Sequence, residues 1–304
     1  MSESVLNNTT NADFIPTIIA QKCLQRLPAY LNLARTVSRD SDWVTAKVGE
    51  TIQVPKTGSV VASTKTAGEV FTKQNPTATN VEVKLDTHKE VTFTIDDVTK
   101  VLENQDSQNR YAEDGAIALA EVIESALLNL HSTLTYTKTW VRTADSDVIA
   151  SMLAIRKHFT DRKVPKTEPK YLYVDSTVYN DLLGSALFSR YDARGNGDAI
   201  TSGKALNAYG MEVFESQLVP TSGSPVAYHN IAYSRNGLVL ATRPLPAPQG
   251  FGGSYALVND PATGVALRSL FWYNADLGAH QLTLDVLYGV AVLDQNRVCE
   301  VESF

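Results

Sequence analysis

The stretch 108–134 constrains the fold more than any other part of the chain. Leu119, Ile123, Leu127, Leu130 and Leu134 follow one another at steps of four, four, three and four. That spacing keeps them on one face of a helix with about 3.6 residues per turn. Ala112, Ala116, Ala118, Ala120 and Ala126 raise helix propensity and keep the flanks thin enough for close packing. Asp106 or Ser107 is placed to cap the start, and Glu113 and Asp114 fall early, where the positive end of the helix dipole favours anions. At about 1.5 Å per residue this spine would run about 40 Å, roughly a domain diameter. Alone, it is the core helix of any α+β protein; its neighbours narrow the choice.

On its N-terminal side, Glu50-Thr51-Ile52-Gln53-Val54-Pro55 reads as a strand ended by proline. Val81, Val83 and Leu85 alternate with Glu82, Lys84 and Asp86, and Val91, Phe93 and Ile95 alternate with Thr92 and Thr94, the pattern of half-exposed strands. Between these strand regions, 56–80 is rich in Thr, Ser, Gly, Ala and Lys. The simplest reading is a long two-stranded arm with an irregular tip. A lone hairpin is marginal in water, and loops beyond about 12–15 residues are uncommon unless functional or disordered. The arm is therefore expected to lie on its own domain or on another subunit. Further upstream, a polar tail gives way to Phe14-Ile15-Pro16 and a helical pattern with Ile18, Ile19, Cys23, Leu24 and Leu27, interrupted by Pro28. Such a terminus, if ordered, must be tied down on something.

After the spine, 136–143 is a short β-like stretch. A second amphipathic helix is expected over 145–162, with Val148, Ile149, Met152, Leu153, Ile155 and Phe159, capped by Asp145 or Ser146. A strand at 171–174 then runs into Asp175-Ser176, which caps a helix reaching about Leu187, giving an α/β unit. A second long loop occupies 188–206. Strands are expected at 211–214, 226–233, 255–258 and 265–273. The stretch 238–246 reads as a short apolar piece ended by two prolines, and 280–292 alternates or runs apolar as part of a terminal β-segment continuing to Val301. This terminal β-segment should pack back on the spine helix.

No catalytic constellation stands out. There is no Gly-x-Ser-x-Gly elbow, phosphate-binding loop, His-Glu-x-x-His or Cys-x-x-Cys. His88, His131, His158, His229 and His280 are scattered without ligand spacing. Asp96 and Asp97 would point to opposite faces of a strand and could not act as a pair. The run around Asp192, Asn196, Gly197 and Asp198 suggests a calcium loop, but Arg194 and Gly203 stand where acidic ligands are needed. No metal, cofactor or catalytic residue is assigned. The formal net charge of −6, from 27 basic and 33 acidic residues, gives no footprint for tight nucleic-acid binding. Cys23 and Cys299 make no disulfide framework. No signal peptide and no apolar run long enough for a membrane span are expected.

The order of segments, together with several local phrases, resembles the major capsid proteins of tailed bacteriophages, the Hong Kong 97 phage fold. The phrases are Phe14-Ile15-Pro16, the run Gly49-Glu50-Thr51-Ile52-Gln53-Val54-Pro55-Lys56, Phe93-Thr94-Ile95-Asp96, Ala241-Thr242-Arg243-Pro244-Leu245-Pro246 and Leu284-Asp285-Val286-Leu287-Tyr288-Gly289-Val290-Ala291-Val292-Leu293-Asp294. The resemblance implies an α+β fold with an N-terminal arm (1–43), an extended two-stranded loop (44–97), a β-containing peripheral domain with the spine helix (98–144 and 249–304) and an α/β axial domain (145–248). It implies a non-enzymatic subunit that assembles with itself into hexamers and pentamers of an icosahedral virion shell in the host cytoplasm. That shell would enclose double-stranded DNA without sequence-specific binding. Separate scaffolding and portal proteins, and a decoration protein, would be partners; no long charged helical segment precedes the arm to act as a fused scaffold. Contacts between subunits would fall on Lys56, Lys65, Phe71 and Lys73 of the extended loop, Arg190, Asp192, Arg194 and Asp198 of the axial loop, and Phe14, Ile15 and Ile18 of the arm. The competing readings are an encapsulin-like compartment shell of the same fold and a soluble two-domain enzyme whose long loops form lids.

Overall fold

The computed structural model describes residues 31–39, 51–56, 60, 62–68, 70, 71, 73, 79–96, 106–185, 207–246, 248, 250, 252–260 and 263–304. In chain order they form helix α1 (Asn32–Thr36), strands β1 (Ser38–Arg39), β2 (Thr51–Lys56), β3 (Thr79–Lys84) and β4 (Thr87–Asp96), and helix α2 (Asp106–Leu128), which tightens into a 3-10 turn (Asn129–Thr133). Next come β5 (Thr137–Thr139), α3 (Asp145–Asp161), β6 (Lys170–Val174), α4 (Ser176–Gly184), β7 (Asn207–Ala208), β8 (Met211–Glu215), β9 (Thr221–Ser222) and β10 (Ala227–Ser234). The chain closes with β11 (Leu238–Arg243), β12 (Ser254–Asn259), β13 (Ala266–Asn274), β14 (Ala279–Val292) and β15 (Val298–Ser303).

Strand β14 organises the first sheet. Along one side it pairs with β4 from Ala279 to Tyr288. Along the other it pairs with β13 up to Asp285 and then with β11 from Leu287. The two partners part at Asp285, which is buried and takes the guanidinium of Arg268, Nε donating at 3.0 Å. Strand β12 extends the sheet beyond β13, and β1 extends it beyond β11.

Helix α2 is the spine expected from the spacing of its apolar residues. Leu119, Ile123 and Leu127 are buried with Ala112, Ala116 and Ala120 in one core with Leu282, Leu284 and Val286 of β14. The alanines let the sheet come close. At Gly115 a Cβ would stand 2.9 Å from the Phe93 ring, so even alanine would crowd β4 there. Leu130 and Leu134 continue the stripe only as partly buried neighbours, because the α-helix ends at Leu128. Tightening to 3-10 geometry is a common way to close a helix end. Leu31, Leu33 and Ala34 of the α1 region are buried against the same core, so this stretch of the N-terminal segment docks on the spine of its own chain.

The second sheet runs β5-β15-β10-β6-β8-β7, with β9 beside β10. Helices α3 and α4 build its core through Val148, Met152, Ile155, Phe159, Val178 and Leu182. Two expectations are corrected here. The N-cap of α3 is Ala144, with no side-chain cap, and not Asp145 or Ser146. Leu153 lies on the exposed face of α3, because residue 155 and not 153 follows Met152 on the buried stripe. Helix α4 carries the expected cap, Asp175 accepting from the Thr177 amide at 2.9 Å. It ends at Gly184, short of Leu187.

Strand pairing does not follow the order of segments along the chain. The chain crosses between the two large sheets three times, from β4 to β5 by way of α2, and then from β10 to β11 and from β14 to β15, the last two meeting at Gly237. So 238–243 lies in the sheet of the spine helix, and 298–303 lies in the second sheet. Where the crossings meet, the Leu293 amide donates to the Gly237 carbonyl at 2.8 Å. A Cβ at Gly237 would lie 2.7 Å from Val298 Cγ2 and 2.8 Å from the Arg297 carbonyl oxygen, so the close approach requires glycine.

Candidate assembly surface

Strands β2 and β3 form a two-stranded hairpin, register Ile52 opposite Val83 and Val54 opposite Val81, that joins neither large sheet. Its base is held by its own subunit. Ile52, Val83 and Leu85 are buried together with Val239 and Ala241 on the face of the first sheet. The chain crosses Gly289 so closely that a Cβ there would stand 2.1 Å from the Lys84 carbonyl oxygen. Lys56, at the end of β2, donates to Asp294 at 2.7 Å. Burial alone would raise the Asp294 pKa. The Lys56 ammonium, the Asn296 amide and the nearby Arg297 outweigh it and hold the carboxyl below its ordinary value.

The tip is different. Val60, Val70 and Phe71 are 66%, 89% and 76% exposed. Among the described residues there, the Lys65 ammonium lies 3.9 Å from the centre of the Phe71 ring, an arrangement worth about 0.5–1 kcal/mol at an exposed site. Lys73 is exposed as well. Thus of the four loop residues named from sequence, Lys65, Phe71 and Lys73 lie at the tip, while Lys56 lies at the base and is engaged within its own chain. Arg190, Asp192, Arg194 and Asp198, and Phe14, Ile15 and Ile18, lie outside the described residues.

The sequence reading passed over a second exposed apolar set. Tyr255 and Leu257 alternate outward along β12, at the edge of the first sheet, and Tyr273 and Leu277 are exposed nearby in sequence at the end of β13 and in the turn after it. The alternation within 254–259 was the available signal.

Sequence reasoning also missed a cluster of titratable groups. His131 of the 3-10 turn, His229 of β10 and Glu300 of β15 bring ligand atoms within 4.8 Å of one another. Glu300 Oε1 lies 2.7 Å from His229 Nδ1 and 3.2 Å from His131 Nδ1, and the two imidazoles stack with centres 4.2 Å apart. Nothing in sequence spacing joins three residues drawn from three elements. His158 is set apart from this cluster: burial, together with the charges of Arg162 and Lys138, pushes its pKa down to about 4 and keeps the ring neutral.

Two sheets, a spine helix laid on the long strand β14, and a projecting hairpin define the fold of the phage major capsid proteins. Solved structures agree. A structure from Mycobacterium phage Che8 superposes with a TM-score of 0.66 at 16% identity, covering 90% of each chain. The capsid of cyanophage P-SCSP1u gives 0.63 at 14% identity, over 86% of this chain and 85% of the other. The mature capsid of bacteriophage PhiM1 gives 0.62 at 13% identity, over 88% and 85%. No curated protein matches the chain significantly in sequence. The family described as "Phage capsid protein" matches residues 30–245, and the chain belongs to that family. It is a structural protein of the virion capsid, not an enzyme. No helix among the described residues is long and apolar enough to cross a membrane.

Proposed function

We propose that this subunit builds hexamers and pentamers of an icosahedral shell around double-stranded DNA, and that the hairpin tip is the part that reaches the neighbouring subunit. The observation that carries this reading is the contrast within the hairpin: a buried, ion-paired base and a tip that exposes Val60, Val70 and Phe71. Apolar side chains projected on an otherwise polar arm are stabilised only when something covers them. A neighbouring copy of the chain, repeated by symmetry, would do so at every position of a closed ring. In this reading the first sheet with α2 is the peripheral domain, and the second sheet with α3 and α4 is the axial domain. Further inter-subunit contacts are assigned to the axial loop, 188–206, and to the N-terminal arm, 1–43, the loop and most of the arm being outside the described residues. Scaffolding, portal and decoration proteins are expected partners during assembly in the host cytoplasm. The acidic chain contains its DNA without gripping it.

The test is electron microscopy of the purified full-length protein, co-expressed with its neighbouring genes, beside the same preparation carrying Phe71→Asp. Closed shells in the parent and free subunits or small oligomers in the variant are expected, with nuclease-protected DNA in particles from infected cells. Shells that form equally well in the variant would remove the tip from the assembly contact. Shells filled with an enzyme instead of DNA would make the particle a compartment.

A further inference from the structure

At the end of the spine helix, supporting contacts hold the groups of the His131, His229 and Glu300 cluster in place. His229 Nε2 is held by Ser222 Oγ at 2.6 Å, which fixes the ring and turns Nδ1 toward Glu300. Thr137 Oγ1 donates to Glu300 Oε2 at 2.7 Å, leaving Oε1 to face both imidazoles. Two Nδ1 atoms and one carboxylate oxygen therefore converge, each oriented by its own supporting contact or by stacking. The side chains of His131, His229 and Glu300 are 17%, 11% and 12% exposed, so the cluster is sheltered yet open to solvent on the His131 side.

We propose that His131, His229 and Glu300 form a binding site for a divalent transition metal of the zinc class, with the fourth position left to water. Two imidazoles and one carboxylate are a donor set that such ions favour. For bonds of about 2.0–2.1 Å, neighbouring ligand atoms of a tetrahedral site stand about 3.3 Å apart. The separation of 3.2 Å between His131 Nδ1 and Glu300 Oε1 already meets this; the 2.7 Å to His229 must widen, and the imidazoles, stacked at 14°, must tilt apart to aim both lone pairs at one ion. With the ion at Nδ1, the His229 Nε2–H donates to Ser222 Oγ, and Thr137 steadies the ligating carboxylate. These are the outer contacts that orient ligands at metal centres. The ion would replace the protons that otherwise sit between Glu300 and the stacked rings. Its structural effect follows from where the ligands come from. His131 ends the spine helix of the first sheet, whereas His229 and Glu300 stand diagonally across the paired strands β10 and β15 of the second, where His229 is opposite Glu302 and Glu300 opposite Ile231. One ion would tie the two sheets together at the spine, and it would stabilise the folded subunit because the unfolded chain has no such site.

The experiment is equilibrium dialysis of the full-length protein, stripped with chelator, against buffered free zinc, followed by metal analysis and a thermal melt. Expected are one equivalent of zinc per chain and a melting transition that rises with zinc and returns with chelator. In Glu300→Gln the affinity should fall at least about tenfold, and His131→Gln with His229→Gln should abolish binding. Because His229 is mostly buried and its variant could misfold, cobalt is loaded into the unaltered protein in parallel. Visible ligand-field bands of a tetrahedral nitrogen and oxygen site, without sulfur charge-transfer absorption, are expected there. Failure of the parent protein to retain zinc overturns the proposal. So does zinc held equally by the variants, or a cobalt spectrum carrying a thiolate signature.

Discussion

The base and the tip of the hairpin belong to one ribbon but are stabilised in opposite ways. At the base, Ile52, Val83 and Leu85 find Val239 and Ala241 on the first sheet, and Lys56 finds Asp294. At the tip, Val60, Val70 and Phe71 face solvent, and the Lys65 head group lies over the aromatic ring. A ribbon of two strands cannot pay for its own ordering in water. The base therefore sets where the hairpin leaves the subunit, and the tip supplies surface for a contact the subunit cannot make alone. The difference separates folding residues from assembly residues along some thirty positions of chain, and substitutions can test it from either side.

The largest effect is expected at the base. Gly289→Val places a branched side chain where even a Cβ meets the Lys84 carbonyl oxygen at 2.1 Å. The backbone of the hairpin cannot yield as a flexible side chain would. We expect a loss of about 3 kcal/mol or more, near the upper end for overpacking, measured by denaturant unfolding, and no shells. Next comes Phe71→Asp at the tip. Here subunit stability should stay within about 0.5 kcal/mol of the parent, as for most exposed positions, while shell formation fails in electron micrographs. The pair separates the two regions cleanly. If Phe71→Asp destabilised the isolated subunit as much as the Gly289 variant, tip and base would be one folding unit and the contrast would collapse.

The N-terminal segment sharpens the same comparison, because its docking depends on a buried carboxyl. Glu124 of α2 is 5% exposed and accepts the Leu33 amide at 2.8 Å, among Tyr173 and Tyr233. Burial pushes its pKa up to about 7 from an ordinary 4.5; the amide donors of Leu33 and Asn32 oppose the rise without cancelling it. The folded-state pKa is raised, so the stability tied to this group is fully present below the unfolded value and is lost as pH climbs through about 7. A rise of that size corresponds to about 3 kcal/mol when the loss is complete. Glu124→Gln keeps the acceptor and removes the charge. It should flatten the decline in unfolding free energy that otherwise runs between about pH 4.5 and 7, with the variant the more stable at the alkaline end. An unchanged pH slope would show that Glu124 is not the group responsible.

Much of this architecture was legible in the sequence, and the reason is local. The spacing of Leu119, Ile123 and Leu127 fixes a helix face whatever surrounds it, and the alternation of Val81, Val83 and Leu85 fixes a strand. The composition of 56–80, too poor in apolar residues to form a core, marked the arm as dependent on a support. What escaped was long-range. The return of 298–303 to the second sheet depends on a crossing at Gly237, a requirement visible only once Val298 and Arg297 lie against it. His131, His229 and Glu300 converge from three elements, and no spacing rule reaches across them. The α3 cap was misplaced because Ala144, Asp145 and Ser146 differ by single positions, and propensity does not resolve which residue turns extended. Lys56 looked like a loop lysine free for a neighbour; its partner Asp294 lies more than two hundred residues away in sequence.

That ion pair is where the smallest effect is expected, and it asks how sharply the base ends. Lys56 is 42% exposed and Asp294 17%, so solvent screens the pair, and a contribution of about 0–1 kcal/mol is the ordinary range for such a contact. Yet Asp294 also accepts from the Asn296 amide at 3.1 Å and from Arg297 Nε at 3.3 Å, and Arg297 in turn binds Glu168. The carboxylate is therefore held in place without the lysine. Lys56→Ala should cost little, whereas Asp294→Ala should cost more, because it strips three donors of their acceptor at once. A double-mutant cycle isolates the pairwise share, expected to stay below about 1 kcal/mol and to shrink with added salt. A coupling several times larger would mean that the hairpin base is clamped by charge rather than by Ile52, Val83 and Leu85, and would move the boundary between folding and assembly residues outward to the end of β2.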